Sequence, residues 1–172
     1  MNPIYERGGA VAVRPAHAGD TEAIREIRNH AVEHSTALWT GRQLSSAEGA
    51  AWLAAHLERG SAFVAEVDGE VAGYGAYAPW RELDGFRHTM ENSVYVRDGR
   101  HGLGIGSALL GALVVSAREA GHHSLIAGIE AGNAASIRLH ERFGFRPVGT
   151  VPEAGTKFGR WLDLTLMQLP LA

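Results

Sequence analysis

Cysteine is absent from all 172 residues. That excludes disulfides, thiolate metal sites and a cysteine nucleophile with its covalent intermediate. Also missing is a run of about 18 apolar residues, the length a membrane-spanning helix requires. Neither sign of charge dominates: 16 Lys and Arg stand against 19 Asp and Glu, a formal net charge of −3. Without a basic excess, neither a nucleic acid nor a membrane surface is expected as a partner. The opening MNPIYERGGAVAV has no basic segment followed by a long apolar one. A secretory leader is therefore not expected, and the lack of cysteine fits a cytoplasmic protein. Repeats, low-complexity tracts and linkers are lacking too, which predicts a single domain over residues 1–172.

With 45% apolar and 20% charged residues, the chain has enough apolar surface to bury a core. AVAVRPA (10–16) alternates like a strand. Asp20 is placed to cap a helix in which Ala23, Ile24, Ile27 and Ala31 recur at helical spacing. A second helix is predicted from about Ser46 to Gly60. SAFVAEV and EVAGYGAYA flank Asp68-Gly69, the strongest short-range hairpin signal. PWRELDGFRH is a polar, turn-rich loop, and TMENSVYV (89–96) returns to strand. RDGRHGLGIG is a glycine-rich turn before the apolar helix SALLGALVVSAREAG. Strand SLIAGIE (124–130) and helix NAASIRLHERFG follow, then strands FRPVGTV (145–151) and RWLDLTLMQL (160–169). This order predicts a mixed α/β fold with helices on both faces of a sheet.

Residues 93–110, SVYVRDGRHGLGIGSALL, are the most informative stretch. A strand runs into Gly102, Gly104 and Gly106, and a helix begins at once. Glycines admit a ligand close to backbone N–H groups, and a helix N-terminus favours negative charge, so the pattern suits a phosphate. A plain tight turn is the simpler alternative. The third glycine comes one residue too early for a dinucleotide-binding G-x-G-x-x-G, and the G-K-[ST] of a P-loop occurs nowhere. The spacing instead resembles the pyrophosphate loop of the GCN5-related N-acetyltransferases, R/Q-x-x-G-x-G/A. Gly104 and Gly106 match its small positions, while His101 stands where Arg or Gln is usual. Arg100, next to it, is expected to keep the loop basic.

The resemblance extends through N133-A-A-S-I-R-L-H-E-R-F-G-F145, similar to the family's second signature. More narrowly, NHAVEHSTALW, WRELDGFRHTMENSVYV, IEAGNAASIRLHERFGF and KFGRWLDLTLMQL resemble one branch. Its members are the phosphinothricin and methionine sulfoximine or sulfone acetyltransferases. This implies a splayed, mixed central sheet of about seven strands and an acetyl-CoA-dependent N-acetyltransferase acting on a small amino-acid analogue. It implies acetyl-CoA contacts from Val94, Tyr95, Val96, Gly102, Leu103, Gly104, Ile105, Gly106, Ser107 and Asn133. Acceptor contacts are implied from Arg81, Glu82, Leu83, Glu91, Asn92 and Ser93, and a homodimer is expected.

Transfer to an amine requires the neutral amine, and a free α-amine holds its proton to about pH 7.7–8.0. A placed carboxylate can take that proton. The resemblance assigns this role to Glu91, three residues before Val94, where the implied acetyl-CoA contacts of this strand begin. A solvated strand-end carboxylate is the alternative. His140 stands where many of the wider family carry a Tyr that protonates the leaving thiolate. Its ordinary pKa suits that role, and equally a plain helix-surface histidine. Arg81 and Arg87 flank the loop before Glu91 and suit an oxyanion; Trp80 and Phe86 offer an aliphatic wall.

HAVEH (30–34) matches the H-x-x-E-H of an inverted zinc-protease helix. Nothing downstream supplies a clear third ligand, so no metal is expected; the resemblance implies instead that this region walls the acceptor site. Two other readings stay open: transfer to a different amine (a protein N-terminus, polyamine or aminoglycoside), or a non-catalytic acyl-CoA-binding protein.

Overall fold

Asp68 and Gly69 both adopt positive φ, 55° and 79°, the conformation a two-residue hairpin turn demands. The computed structural model describes residues 10–171; most of the opening MNPIYERGGAVAV, where no leader is expected, lies outside them. In chain order the elements are β1 (Ala12–Pro15), α1 (Thr21–His34), α2 (Ser46–Arg59), β2 (Ala62–Val67), β3 (Glu70–Pro79) and β4 (Thr89–Val96). Then come α3 (Ile105–Glu119), β5 (Ser124–Glu130), α4 (Ala134–Arg142), β6 (Arg146–Lys157) and β7 (Arg160–Pro170).

The seven strands form one sheet in the order β1-β2-β3-β4-β5-β7-β6. All neighbours are antiparallel except β4 and β5. That parallel pair is short, running only from Thr89↔Ser124 to Glu91↔Ile126. The opposite edge of β4 stays paired with β3 from Met90 to Val96. The sheet therefore splays beyond Glu91, and Asn92 to Val96 turn one backbone edge toward a gap. A strand edge left unpaired carries N–H and C=O groups ready for an extended ligand.

Helices cover both faces. Ile24 and Ile27 of α1 and Leu53 of α2 pack with Val64, Tyr74 and Ala76. On the other face, Leu110, Leu113 and Val114 of α3 pack with Met90, Leu125 and Met167. Gly73 lets α3 settle closely on β3: a Cβ there would lie 2.7 Å from Ile105 Cγ2 and 2.9 Å from the Tyr95 carbonyl oxygen. That contact fixes the α3 N-terminus beside the open edge of β4.

Two local expectations are corrected. Asp20 does not cap α1 with its side chain. A 3-10 turn at Ala18–Asp20 precedes the helix, and the carboxylate instead accepts from the His17 N–H and both Arg14 guanidinium nitrogens, each at 2.8 Å. Strand β6 runs to Lys157 rather than ending at Val151. It lies at the sheet edge, where Pro147 and Pro152 lose no required donor, and register shifts absorb the irregularity.

Candidate active site

The splay opens a cleft of about 590 Å³ lined by Val94, Tyr95 and Val96 of β4, His101 and Gly106 beyond it, and Asn133, Ser136 and Leu139 at α4. At one end stands the α3 N-terminus. Gly102 and Gly104 each hold φ at 81°, a left-handed conformation that glycine adopts without strain. Gly104 is the N-cap, with no side-chain cap, and the first turn carries no acidic residue. The first N–H groups of a helix have no intrahelical acceptor, so this end offers donors to an anion. An arm bearing amides and a diphosphate fits these features: the amides along β4, the diphosphate at α3.

Not every residue expected here contributes a side chain. Ile105 is 1% exposed and packs with Ala65, Val67 and Leu109, leaving only its backbone for a ligand. Arg100 does not reinforce the loop: its guanidinium lies 3.3 Å from Glu70 and 3.8 Å from Asp68 on the β2–β3 hairpin. His101 alone of that pair lines the cleft. His30 and His34 line the same cleft, facing Val94 to Val96. The two HAVEH histidines thus line this cleft, while Arg28 of the same helix lines the cavity that holds Glu91. The two histidine ring centroids lie 4.5 Å apart with the planes tilted by 45°, and His30 Nε2 is 4.0 Å from Asp98.

Two cavities meet along β4, and Tyr95 lines both. Glu91, Ser93 and Tyr95 line a second cavity of about 240 Å³ with Arg28, Leu38, Trp52, His56, Tyr74 and Ala76. Glu91 is open to this space. The surrounding protein desolvates its carboxylate and pushes its pKa above the ordinary 4.5, while the positive charge of Arg81 works the other way. His56 has its pKa lowered mainly by burial. Tyr74 stacks on Tyr95 at 5.1 Å.

Asn92 points to the opposite side. It is buried, and its Nδ2 lies 2.9 Å from Nε2 of His140. Nδ1 of His140 lies 2.8 Å from the Ser136 carbonyl. A carbonyl only accepts, so Nδ1 carries the proton and Nε2 accepts from Asn92. Burial lowers the His140 pKa, with the Ser136 contact partly opposing, so the ring is neutral at pH 7. Asn133 caps α4, accepting from the Ser136 N–H at 3.1 Å.

Arg81, Glu82 and Leu83 are exposed on the loop after β3, outside the second cavity. The Arg81 guanidinium lies 4.9 Å over the Trp80 ring. Trp80 packs edge-on against Phe86 at 5.4 Å, and Arg87 donates to the Asp84 carbonyl at 3.1 Å. Arg28 is the cavity residue that the sequence reading missed. It falls on the apolar stripe of α1, four residues after Ile24 and one after Ile27. A charge in such a stripe is a signal the periodicity carried.

A sheet splayed at its one parallel pair, with an uncapped helix N-terminus at one end of the gap and the partly desolvated Glu91 carboxylate at the other, defines an acyltransferase of the coenzyme A-using kind. The chain belongs to the acetyltransferase (GNAT) family, whose model matches residues 21–145. It is 47% identical over 162 residues to an L-methionine sulfoximine/L-methionine sulfone acetyltransferase of Salmonella typhimurium, covering 94% of this chain and 95% of the relative. It is 37% identical over 166 residues to a phosphinothricin N-acetyltransferase of Streptomyces coelicolor, covering 94% and 96%. The structure resembles that of a Salmonella typhimurium acetyltransferase solved with its cofactor acetyl-CoA. There the TM-score is 0.93, with 46% identity and 95% of each chain covered.

Proposed function

We propose that this chain transfers the acetyl group of acetyl-CoA directly to the α-amine of a small amino-acid analogue, of the methionine sulfoximine, methionine sulfone or phosphinothricin type. The observation that carries this is the position of Glu91. It is the last β4 residue paired to β5, so its carboxylate looks into the acceptor cavity while the next residues open toward the arm cleft. Bound acetyl-CoA supplies a thioester carbonyl that an amine can attack.

The backbone of Val94, Tyr95 and Val96 receives the arm in this reading. The N–H groups from Gly102 to Ser107 hold the diphosphate, and the Nδ2 of Asn133, whose Oδ1 caps α4, contacts the arm. Glu91 takes the ammonium proton, a task its raised pKa suits. Ser93 lines the acceptor cavity beside it. Arg81, Glu82 and Leu83 form its outer rim, where Arg81 tunes the Glu91 charge. Asn92 sits behind the strand, fixed by His140. The role we assign to His140 is that of a neutral orienting group rather than the proton donor to the thiolate, because Nε2 holds no proton to give.

We further place the enzyme in the cytoplasm, as one domain and as a homodimer. Trp161, Phe158 and Val148 on and beside β6–β7 support the dimer: they are 67%, 57% and 58% exposed, and exposed apolar side chains grouped on one hairpin suit a partner. The test is acetyl-CoA consumption with methionine sulfone, methionine sulfoximine, phosphinothricin and a polyamine. Turnover with the amino-acid analogues and little with the polyamine is expected; the reverse order overturns the acceptor class.

A further inference from the structure

The acceptor cavity contains a guanidinium nitrogen that no acceptor among the described residues meets. Arg28 projects from the middle of α1 into the space it shares with Glu91 and Ser93. Its Nη1 is buried and has no hydrogen-bond partner among the described residues. Other charged residues of α1 are satisfied. Arg25 is paired with Glu22 at 2.7 Å and donates to the Leu44 carbonyl at 3.2 Å. Glu26 lies 3.4 Å from Arg97. A buried guanidinium N–H without an acceptor is strongly unfavourable. A helix that places one on its core-facing stripe therefore keeps it there for an acceptor arriving from outside.

We propose that Arg28 recognises the carboxylate of the acceptor, so that the cavity selects zwitterionic amino acids. This rests on the acetyl-transfer reading above. A carboxylate at one wall, Glu91, suits the substrate's ammonium group. A guanidinium at another, Arg28, suits the substrate's carboxylate, with which it can form two parallel hydrogen bonds. Leu38, Trp52 and Tyr74 line the space between and suit the carbon chain. A polyamine would bring a second cation beside Arg28 and is disfavoured. The arginines more visible in the sequence are less suited to this task. Arg81 stacks on Trp80 at the rim and Arg87 is held by its own turn, both in solvent that screens their charge.

The experiment separates carboxylate recognition from chemistry. With coenzyme A bound, 4-(methylsulfonyl)butanoate, which is methionine sulfone without its amine, is titrated by calorimetry into wild type, Arg28→Met and Arg28→Lys. The corresponding carboxamide is titrated in parallel. Wild type is expected to prefer the carboxylate. Arg28→Met should weaken its binding roughly 10- to 100-fold and leave the carboxamide unchanged, with Arg28→Lys between. Arg28→Met should also unfold at the same or a higher temperature than wild type, because it keeps the apolar stem and removes an unmatched buried charge. Equal wild-type affinity for carboxylate and carboxamide, or an unaltered carboxylate affinity in Arg28→Met, overturns the proposal. Should Arg28→Met fail to fold, the wild-type and Arg28→Lys titrations still decide it. Wild-type turnover of methionine sulfone is read separately. Carboxylate binding without turnover removes the acetyl-transfer reading alone; turnover without carboxylate preference removes the role of Arg28 alone.

Discussion

Asn92 and His140, 48 residues apart in sequence, meet inside the protein with 2.9 Å between Nδ2 and Nε2. The Ser136 carbonyl claims the other ring nitrogen at 2.8 Å, which places a proton on Nδ1. With the ring neutral, Asn92 Nδ2 donates to Nε2, and the Asn92 Oδ1 is buried without a partner among the described residues. To become a proton donor, the ring would have to gain a proton against its burial and turn away the Asn92 N–H.

The first prediction follows from that tautomer. Burial lowers the folded-state pKa of His140 below its ordinary 6.5, so the unfolded chain binds a proton the folded chain refuses. Stability from the neutral ring is thus fully present above 6.5 and falls as pH drops through the window below it. His56 and His122 shift in the same direction, so His140 supplies one part of the slope. His140→Gln keeps an acceptor for Asn92 and removes the ionisation. Thermal unfolding followed from about pH 7.5 to 5 should show a shallower acid decline, with turnover at neutral pH within about tenfold of wild type. A drop of roughly 10²–10⁴ would mark His140 as the proton donor after all.

At Gly104 the prediction concerns both fold and ligand. The space around its Cα is open, but φ is +81°, so any other L-residue is strained by about 1–2 kcal/mol. Gly104→Val should lower the unfolding temperature of the ligand-free protein and also weaken coenzyme A binding. Gly104→Asn, which tolerates the left-handed region better, should recover more of the stability than of the affinity. Calorimetric titration beside thermal unfolding measures the two effects independently.

The sequence showed local features well and convergent ones poorly. Asp68-Gly69, the glycine turn before α3 and the alternation of TMENSVYV all rest on backbone rules that act within a few residues, and each element formed where its pattern stood. The extent of β6 did not, because Pro152 and Gly155, just beyond the expected end at Val151, are residues that ordinarily interrupt a strand away from a sheet edge. Glu91 and the open β4 edge came from resemblance. The Asn92–His140 contact and the unmatched Nη1 of Arg28 depend on which side chains the fold brings together. Arg28 alone left a trace, a charge in an apolar stripe.

Gly128 supports Glu91 from across the splay. A Cβ on Gly128 would lie 3.2 Å from Glu91 Oε1, close enough to shift the carboxylate. Gly128→Ala should lower kcat between about 10- and 100-fold, the scale expected for a misplaced group. Coenzyme A affinity should hold and stability should be equal or slightly higher, since alanine loses less backbone entropy in a strand. Unchanged kcat would show that the carboxylate position is not critical.

Glu91 itself gives the sharpest test. Glu91→Gln keeps the shape and removes the proton acceptor, so turnover at neutral pH should fall roughly 10²–10⁴ while coenzyme A still binds. The deficit should shrink as pH rises, because more of the amine is then neutral without help. A positioning role predicts instead a raised KM and a deficit independent of pH. The same substitution should stabilise the protein. Desolvation raises the folded-state pKa of Glu91 above 4.5, so the protonated form is the one favoured by folding. Its contribution is fully present below the unfolded value and lost as pH rises through the folded one. At neutral pH wild type therefore carries a destabilising charge that the variant lacks. Turnover and unfolding temperature, measured from neutral to alkaline pH on both proteins, should move in opposite directions on substitution: slower chemistry in a more stable protein. Wild-type turnover in Glu91→Gln at neutral pH would end the assignment of the base.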